Sequence, residues 1–273
     1  MVIYHNILIL AILLATVCAE AGQSHNQCLD CHTVHYRQQG TCTACHRGNP
    51  ASGRKNIAHA GLIAGKFAGF TLPGSPELQK GNRLLEQFAC RRCHVSNRRG
   101  NRLAASLDSV TQLRSPEEIV TAITSPAMGM PLFRIGDKQM VALVNAIYWG
   151  GLTAKSGAKP PQVVFFQDKD KKAPDLFTQK CGVCHRLLSE QLGLLGSSDS
   201  GPNLSGLFTP FYPKTFRNRE GWNAGGLKQW LNNPRSIRTW TTMQPVHLNP
   251  AELREVISIL KVEAQQKEPV SNR

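Results

Sequence analysis

The motif C-x-x-C-H occurs four times in this chain, and no other feature restricts its fold so tightly. The copies are Cys28/Cys31/His32, Cys42/Cys45/His46, Cys90/Cys93/His94 and Cys181/Cys184/His185. Of nine cysteines, only Cys18 stands outside them. One copy would arise by chance in about one chain in a hundred of this composition, so four are not accidental. Two thiols at this spacing can add to the two vinyl groups along one edge of a haem. The histidine that follows lies beneath the ring, where it reaches the iron. Paired zinc knuckles have no need of a histidine after every pair. Disulfides between such close neighbours, four times over, would be an odd framework even for an exported chain. The expectation is four covalently bound haem c groups, with His32, His46, His94 and His185 as proximal iron ligands.

Export is expected from the first 21 residues. Ile7 to Ala19 is a run of thirteen small and apolar residues, too short to cross a bilayer comfortably. Small residues at Val17-Cys18-Ala19 or Ala19-Glu20-Ala21 suit cleavage near Ala19 or Ala21, the pattern of a signal peptide, and the expected location is periplasmic. An uncleaved anchor is the alternative. The formal charge of +14 suggests nucleic-acid binding at first sight. The basic residues are scattered, however, and an exported chain does not meet nucleic acid. Four haems would return about eight negative charges through their propionates. A basic surface that steers acidic redox partners fits better, and no nucleic-acid partner is expected.

The remaining chain reads as a series of modules. Residues 22–72, rich in Gly, His and Cys, hold two motifs and little apolar periodicity, so a loop-rich dihaem module is expected. Pro73-Gly74 and Ser75-Pro76 mark a boundary. In residues 73–155, Leu78, Leu84, Leu85 and Phe88 repeat at helical spacing and lead into Cys90. Ser115-Pro116-Glu117-Glu118 is a capping box that starts a helix through Thr124. Asp137 to Trp149 forms an amphipathic helix with Met140, Leu143, Val144 and Ile147 on its core face, and Gly150-Gly151 is read as its stop. Residues 156–170, with Lys159-Pro160-Pro161, read as a linker. The scheme repeats over 171–265: Leu176-Phe177 before Cys181, a helix on Leu227, Trp230 and Leu231 ended by Pro234, and a last helix capped by Asn249 and running to about Val262. Residues 266–273 form a polar tail.

Residues 76–151 and 171–264 each resemble a class I cytochrome c domain. The likeness rests on Leu176-Phe177 before Cys181, Gly201-Pro202-Asn203-Leu204 after His185, and the closing helix with Tyr148-Trp149. Residues 25–46, with Cys28 to His35 as C-x-x-C-H-x-x-H, resemble the compact multihaem cytochromes. The fold class implied is mainly α, two tandem class I cytochrome c-like helical domains after the N-terminal dihaem module. In class I cytochromes the proline carbonyl of the Gly-Pro pair holds the proximal histidine. Asn101-Arg102-Leu103-Ala104 lacks that pair, so His94 is expected to be oriented differently.

Distal ligands decide between a carrier and an enzyme. His25, His35 and His59 remain near the first two motifs, and two of the three suffice to make both haems bis-histidine. The resemblance gives His35 the role of ligating a neighbouring haem. Met128-Gly129-Met130-Pro131 offers a thioether opposite His94, and Met130 is preferred because the class I ligand directly precedes proline. Met243 takes this role opposite His185, although Gln244 separates it from Pro245 and His247 competes. Met140 is expected to pack in the core.

With every iron saturated, the expected function is electron transfer in a respiratory chain. Analogy with the family suggests a membrane quinol-oxidising cytochrome b complex as donor, and a soluble cytochrome, reductase or oxidase as acceptor. With a polar C-terminus, membrane contact is expected to be peripheral, or to use an uncleaved N-terminus. The alternative is a multihaem oxidoreductase, a peroxidase or small-oxyanion reductase, whose open haem would be the one at Cys181.

Overall fold

The computed structural model describes residues 26–127, 129–153 and 175–263. The expected signal segment, His25, Met128, the linker and the polar tail lie outside the described residues. The chain divides into two compact units, Met1–Thr71 and Leu72–Arg273. With 47% of the described residues helical and 4% in strands, it is mainly α.

In the first unit the backbone is held by short elements. A single 3-10 turn, Gln27–Asp30, carries Cys28, and the Asn26 side chain caps it by accepting from the Cys28 N–H at 3.1 Å. The second motif is itself the short helix α1, Cys42–His46. Then come α2, Lys55–Ala58, and a 3-10 stretch, Gly65–Thr71, which buries Phe67, Ala68 and Phe70.

The second unit is built from longer, self-sufficient helices. Helix α3, Pro76–Gln87, has proline in its first turn and a Ser75 hydroxyl accepting from the Leu78 N–H at 3.2 Å, so an orphan amide of the helix start is satisfied. It buries Leu78, Leu84 and Leu85. Helix α4, Leu107–Leu113, is followed by α5, Pro116–Thr124, whose capping box is closed in both directions. Helix α6, Asp137–Thr153, buries Met140, Leu143, Val144 and Ile147 and packs against α3, α4 and α5. Gly81 is where α3 meets α6: a β-carbon there would lie 2.8 Å from that of Ala146 and would strike the Ala142 carbonyl.

One expectation is corrected here. Gly150-Gly151 does not stop α6, which runs on to Thr153. A side chain at Gly150 would come within 2.7 Å of an Asp108 carboxylate oxygen, and one at Gly151 would strike Thr111. These glycines let α4 approach α6 closely, and that packing outweighs their poor helix propensity.

The last third begins with α7, Leu176–Lys180, capped by Asp175. An antiparallel pair, β1 (Leu187–Ser189) and β2 (Gly193–Leu195), places Leu187 opposite Leu195. Helix α8, Ala224–Asn232, is followed by the short α9, Pro234–Ile237, and by α10, Pro250–Leu260, which Asn249 and Glu252 cap reciprocally. Helix α10 contacts α7, as α6 contacts α3. In both halves of the second unit the helix leading into a motif therefore packs on a closing helix. Among the described residues no helix is long and apolar enough to cross a membrane.

Candidate cofactor-binding sites

Three of the four motif histidines share one device. His46, His94 and His185 each direct Nδ1 at a backbone carbonyl: Ile63 at 3.0 Å, Ala105 at 2.7 Å and Pro202 at 2.7 Å. A carbonyl can only accept, so Nδ1 carries the proton and Nε2 keeps its lone pair. That tautomer is the one a metal ligand needs, and the carbonyl fixes the plane of the ring. His94 is held by Ala105 and not by a proline, in line with the missing Gly-Pro pair. Ile63 engages His46 twice, because its own N–H donates to the His46 carbonyl at 2.7 Å.

A second device recurs on the backbone. Gly100, at φ +132°, and Gly196, at φ +78°, lie directly against the carbonyls of His94 and His185. A β-carbon at either would strike that carbonyl, so only glycine combines the turn with the close approach. Asp108, buried at the start of α4, accepts from the N–H groups of Asn97 and Arg98 at 2.7 and 2.9 Å. It thereby braces a loop whose two residues both adopt left-handed conformations. Gly201 packs its α-carbon against the His185 ring, within 2.4 Å of which a β-carbon would fall.

The clearest site lies in the first half of the second unit. A cavity of about 650 Å3 opens between the motif and the closing helix. Cys90, His94 and Met130 line it together, with Phe88, Leu143 and Ile147 among its apolar walls. Its size is that of a pocket for a cofactor. Burial pushes the Cys90 thiol up to about 11, against the pull of the neighbouring arginines. Cys93 is also raised by burial. Burial lowers His94, which favours the neutral imidazole, although the bond to Ala105 works the other way.

In the second half, Cys181 and Met243 both border the core of Phe177, Leu207, Leu227 and Val256. Burial raises the Cys181 thiol to about 11, helped by the charge of Asp175. The Met243 sulfur accepts from the indole N–H of Trp230 at 2.9 Å. His247 is exposed.

The first unit brings its histidines together in pairs. His32 and His59 have ring centroids 6.1 Å apart, and His35 and His46 are 5.7 Å apart, edge to face. Asn26 links the two motifs: it caps Cys28 and its amide lies 3.8 Å from the Cys42 sulfur. The Cys45 sulfur accepts from the Thr71 hydroxyl at 3.1 Å.

The eight motif thiols are not equally covered, and Cys31 and Cys184 stand apart. These two are exposed, whereas Cys28, Cys42, Cys45, Cys90, Cys93 and Cys181 are half-buried. Cys31 closes the 3-10 turn of the first motif, its N–H donating to the Cys28 carbonyl at 3.4 Å. That turn buries none of its residues, and Cys31 to Gly40 are all exposed, so no apolar wall forms around this sulfur. Cys93, by contrast, packs beside the buried pair Leu103 and Leu188. The polypeptide therefore partly covers Cys90 and Cys93 but leaves Cys31 open to solvent. All eight motif cysteines are unbridged thiols. Among the described residues no three His, Cys, Asp or Glu side chains converge as a cage for a bare metal ion.

Ala105, Ile63, Asp108, Gly100, Gly196 and Trp230 are not legible as site residues in the sequence. Only the glycines carry a signal, Gly100 and Gly196 following His94 and His185 by six and eleven residues. No family profile, curated protein or solved structure matches the chain.

Proposed function

We propose that this protein is an exported tetrahaem c-type cytochrome that passes electrons in a respiratory chain. The observation that carries the reading is the cavity onto which Cys90, His94 and Met130 converge. An apolar chamber lined by the first thiol of a C-x-x-C-H motif, an imidazole with a free Nε2 and a thioether suits a covalently held haem. When bound, haem supplies a reversible one-electron couple and the protein tunes its potential.

The residues divide the work. The paired cysteines attach the group by adding each S–H across a vinyl double bond, sulfur to one carbon and hydrogen to the other. His32, His46, His94 and His185 supply the proximal nitrogens. Met130 and Met243 supply distal sulfurs in the two class I cytochrome c-like halves. In the first unit His59 lies beside His32 and His35 beside His46, with ring centroids 6.1 and 5.7 Å apart, and His59 and His35 would supply the second imidazoles. Methionine favours Fe(II) over histidine and raises the potential, so electrons run from the first unit to the second. A membrane quinol-oxidising cytochrome b complex is the proposed donor, and a soluble cytochrome or reductase the acceptor.

Intact mass of the protein secreted by a host able to attach haem c tests this. The expected mass exceeds that of the polypeptide by four haems, with none of the eight motif thiols open to alkylation, the exposed Cys31 and Cys184 included. A secreted chain with eight alkylatable thiols and no added mass overturns the reading.

A further inference from the structure

Met130 lines its cavity from a segment that the other half of the second unit helps to hold. Leu194 of β2 packs against Gly129, where a β-carbon would strike its side chain. The Asn203 amide donates to the Gly129 carbonyl at 3.3 Å. Gly129 directly precedes Met130 and adopts φ +80°.

Asn203 is tied to both motifs. Its neighbour Pro202 accepts from His185. The Asn203 carbonyl accepts from the guanidinium of Arg92, inside the Cys90 motif, at 3.0 Å and from the Tyr212 hydroxyl at 3.2 Å. Its Oδ1 accepts from the N–H and the hydroxyl of Ser205, at 3.0 and 2.6 Å. Arg91, the other residue between Cys90 and Cys93, turns the opposite way, to Glu86 and the Ser96 carbonyl. Nearby, the Asn101 amide donates to the Arg92 carbonyl at 2.8 Å and to the Thr209 hydroxyl at 3.0 Å. Leu103 and Leu188 are buried together beside Cys93.

We infer that Asn203 is a positioning residue shared by two haem seats. Through its amide it fixes the backbone from which Met130 faces His94. Through its main chain it fixes the acceptor of His185. The His94–Met130 seat is thus completed by a residue more than 70 positions away, whose neighbour Pro202 serves the His185 seat. The inference rests on the proposed haem ligation.

Asn203→Asp in the full-length holoprotein isolates the cross-half bond. The aspartate keeps an oxygen for Ser205 but removes the donor and sets a carboxylate against the Gly129 carbonyl. Gly129→Ala attacks the same contact by crowding Leu194. The readouts are the proton NMR signals of iron-bound methionine methyls, and the potential of each haem. Wild-type protein is expected to show two such methyl signals. In both variants, with four haems attached by mass, the Met130 signal should vanish or shift, and one high-potential haem should move to lower potential. An unchanged Met130 signal in both variants overturns the inference while leaving the haem reading intact. A wild-type spectrum with no methionine-ligated signal overturns the ligation on which it rests.

Discussion

The two units organise the same motif by opposite means. In residues 26–71 Cys31, the motif histidine His32 and its neighbours His35 and His59 are exposed, and imidazole rings lie beside one another in pairs. The buried apolar side chains there are Ile63, Phe67, Ala68 and Phe70, all downstream of both motifs. In residues 72–263 the motifs follow capped helices, and cores such as Leu85, Leu143 and Val144 are closed by the polypeptide itself. Hydrophobic burial grows with the apolar area removed from water. The second unit can therefore fold on its own account. The first has so little to bury that a segment of its size is marginal or worse without a staple such as a metal group. On the proposed haem reading, the difference is between a group that would fill a preformed cavity and one that would serve as the core.

The largest expected effect of this contrast appears when attachment is blocked. Chain produced in a host without haem attachment should lose amide protection through residues 26–62, with opening free energies near zero. Helices α3 and α6 should keep theirs. Hydrogen exchange read by mass spectrometry checks this, and equal protection of the two regions would break the comparison.

How much of this is legible in the sequence follows from the range of the forces involved. The motif spacing, the Ser115 and Asn249 caps and the apolar faces of α3 and α6 are local patterns, and each is where periodicity predicts. Met140 is buried as expected. Helix α4 and the β1–β2 pair leave no such mark, since neither has a long periodic run. Gly150-Gly151 misleads for a related reason: local propensity signals a break, while contact with Asp108 and Thr111 keeps the helix going. The motif alone also makes Cys31 and Cys93 look alike, because what separates them is the core that only distant residues bring to Cys93. The partners of His32 and His46 can be narrowed to three histidines but not chosen, because pairing across the chain leaves no trace in any window. The same holds for Ala105 under His94 and for Asn203 at Gly129, which only tertiary structure brings together.

A smaller effect sharpens the claim that the second unit supports itself. Gly81→Ala places a methyl against the Ala142 carbonyl and Ala146. Overpacking of this kind costs about 1–3 kcal/mol. Denaturant melts of the variant and wild type, each with and without haem, should give the same loss in both forms, because α3 and α6 meet without help from the cofactor. A loss confined to the haem-bound protein would show that the group, and not the helix crossing, organises that half.

The smallest effect concerns acid and the capping box of α5, whose Arg114 and Glu118 also border the cavity. Glu118 closes the α5 capping box: its carboxylate accepts from the Ser115 N–H at 2.8 Å and pairs with Arg114 at 2.9 Å. The backbone bond to Ser115, then the bond to Arg114, holds its carboxyl below the usual range. A carboxyl depressed in the folded state stabilises that state above its unfolded value of about 4.3, and the contribution is lost as pH falls through the lower folded value. The side chain is exposed, so salt screens the Arg114 pairing and the whole effect is slight. Titration of the Glu118 side chain by NMR should show a midpoint below that of an ordinary glutamate, with the Ser115 amide shifting in step. Adding salt should bring the midpoint only part of the way back, since the backbone bond does not depend on Arg114. The same titration in haem-free chain should give the same midpoint, because α5 is capped by its own residues. A midpoint that moved with haem attachment would mean that even this local cap depends on the group beside it, and the contrast between the two units would narrow to one of degree.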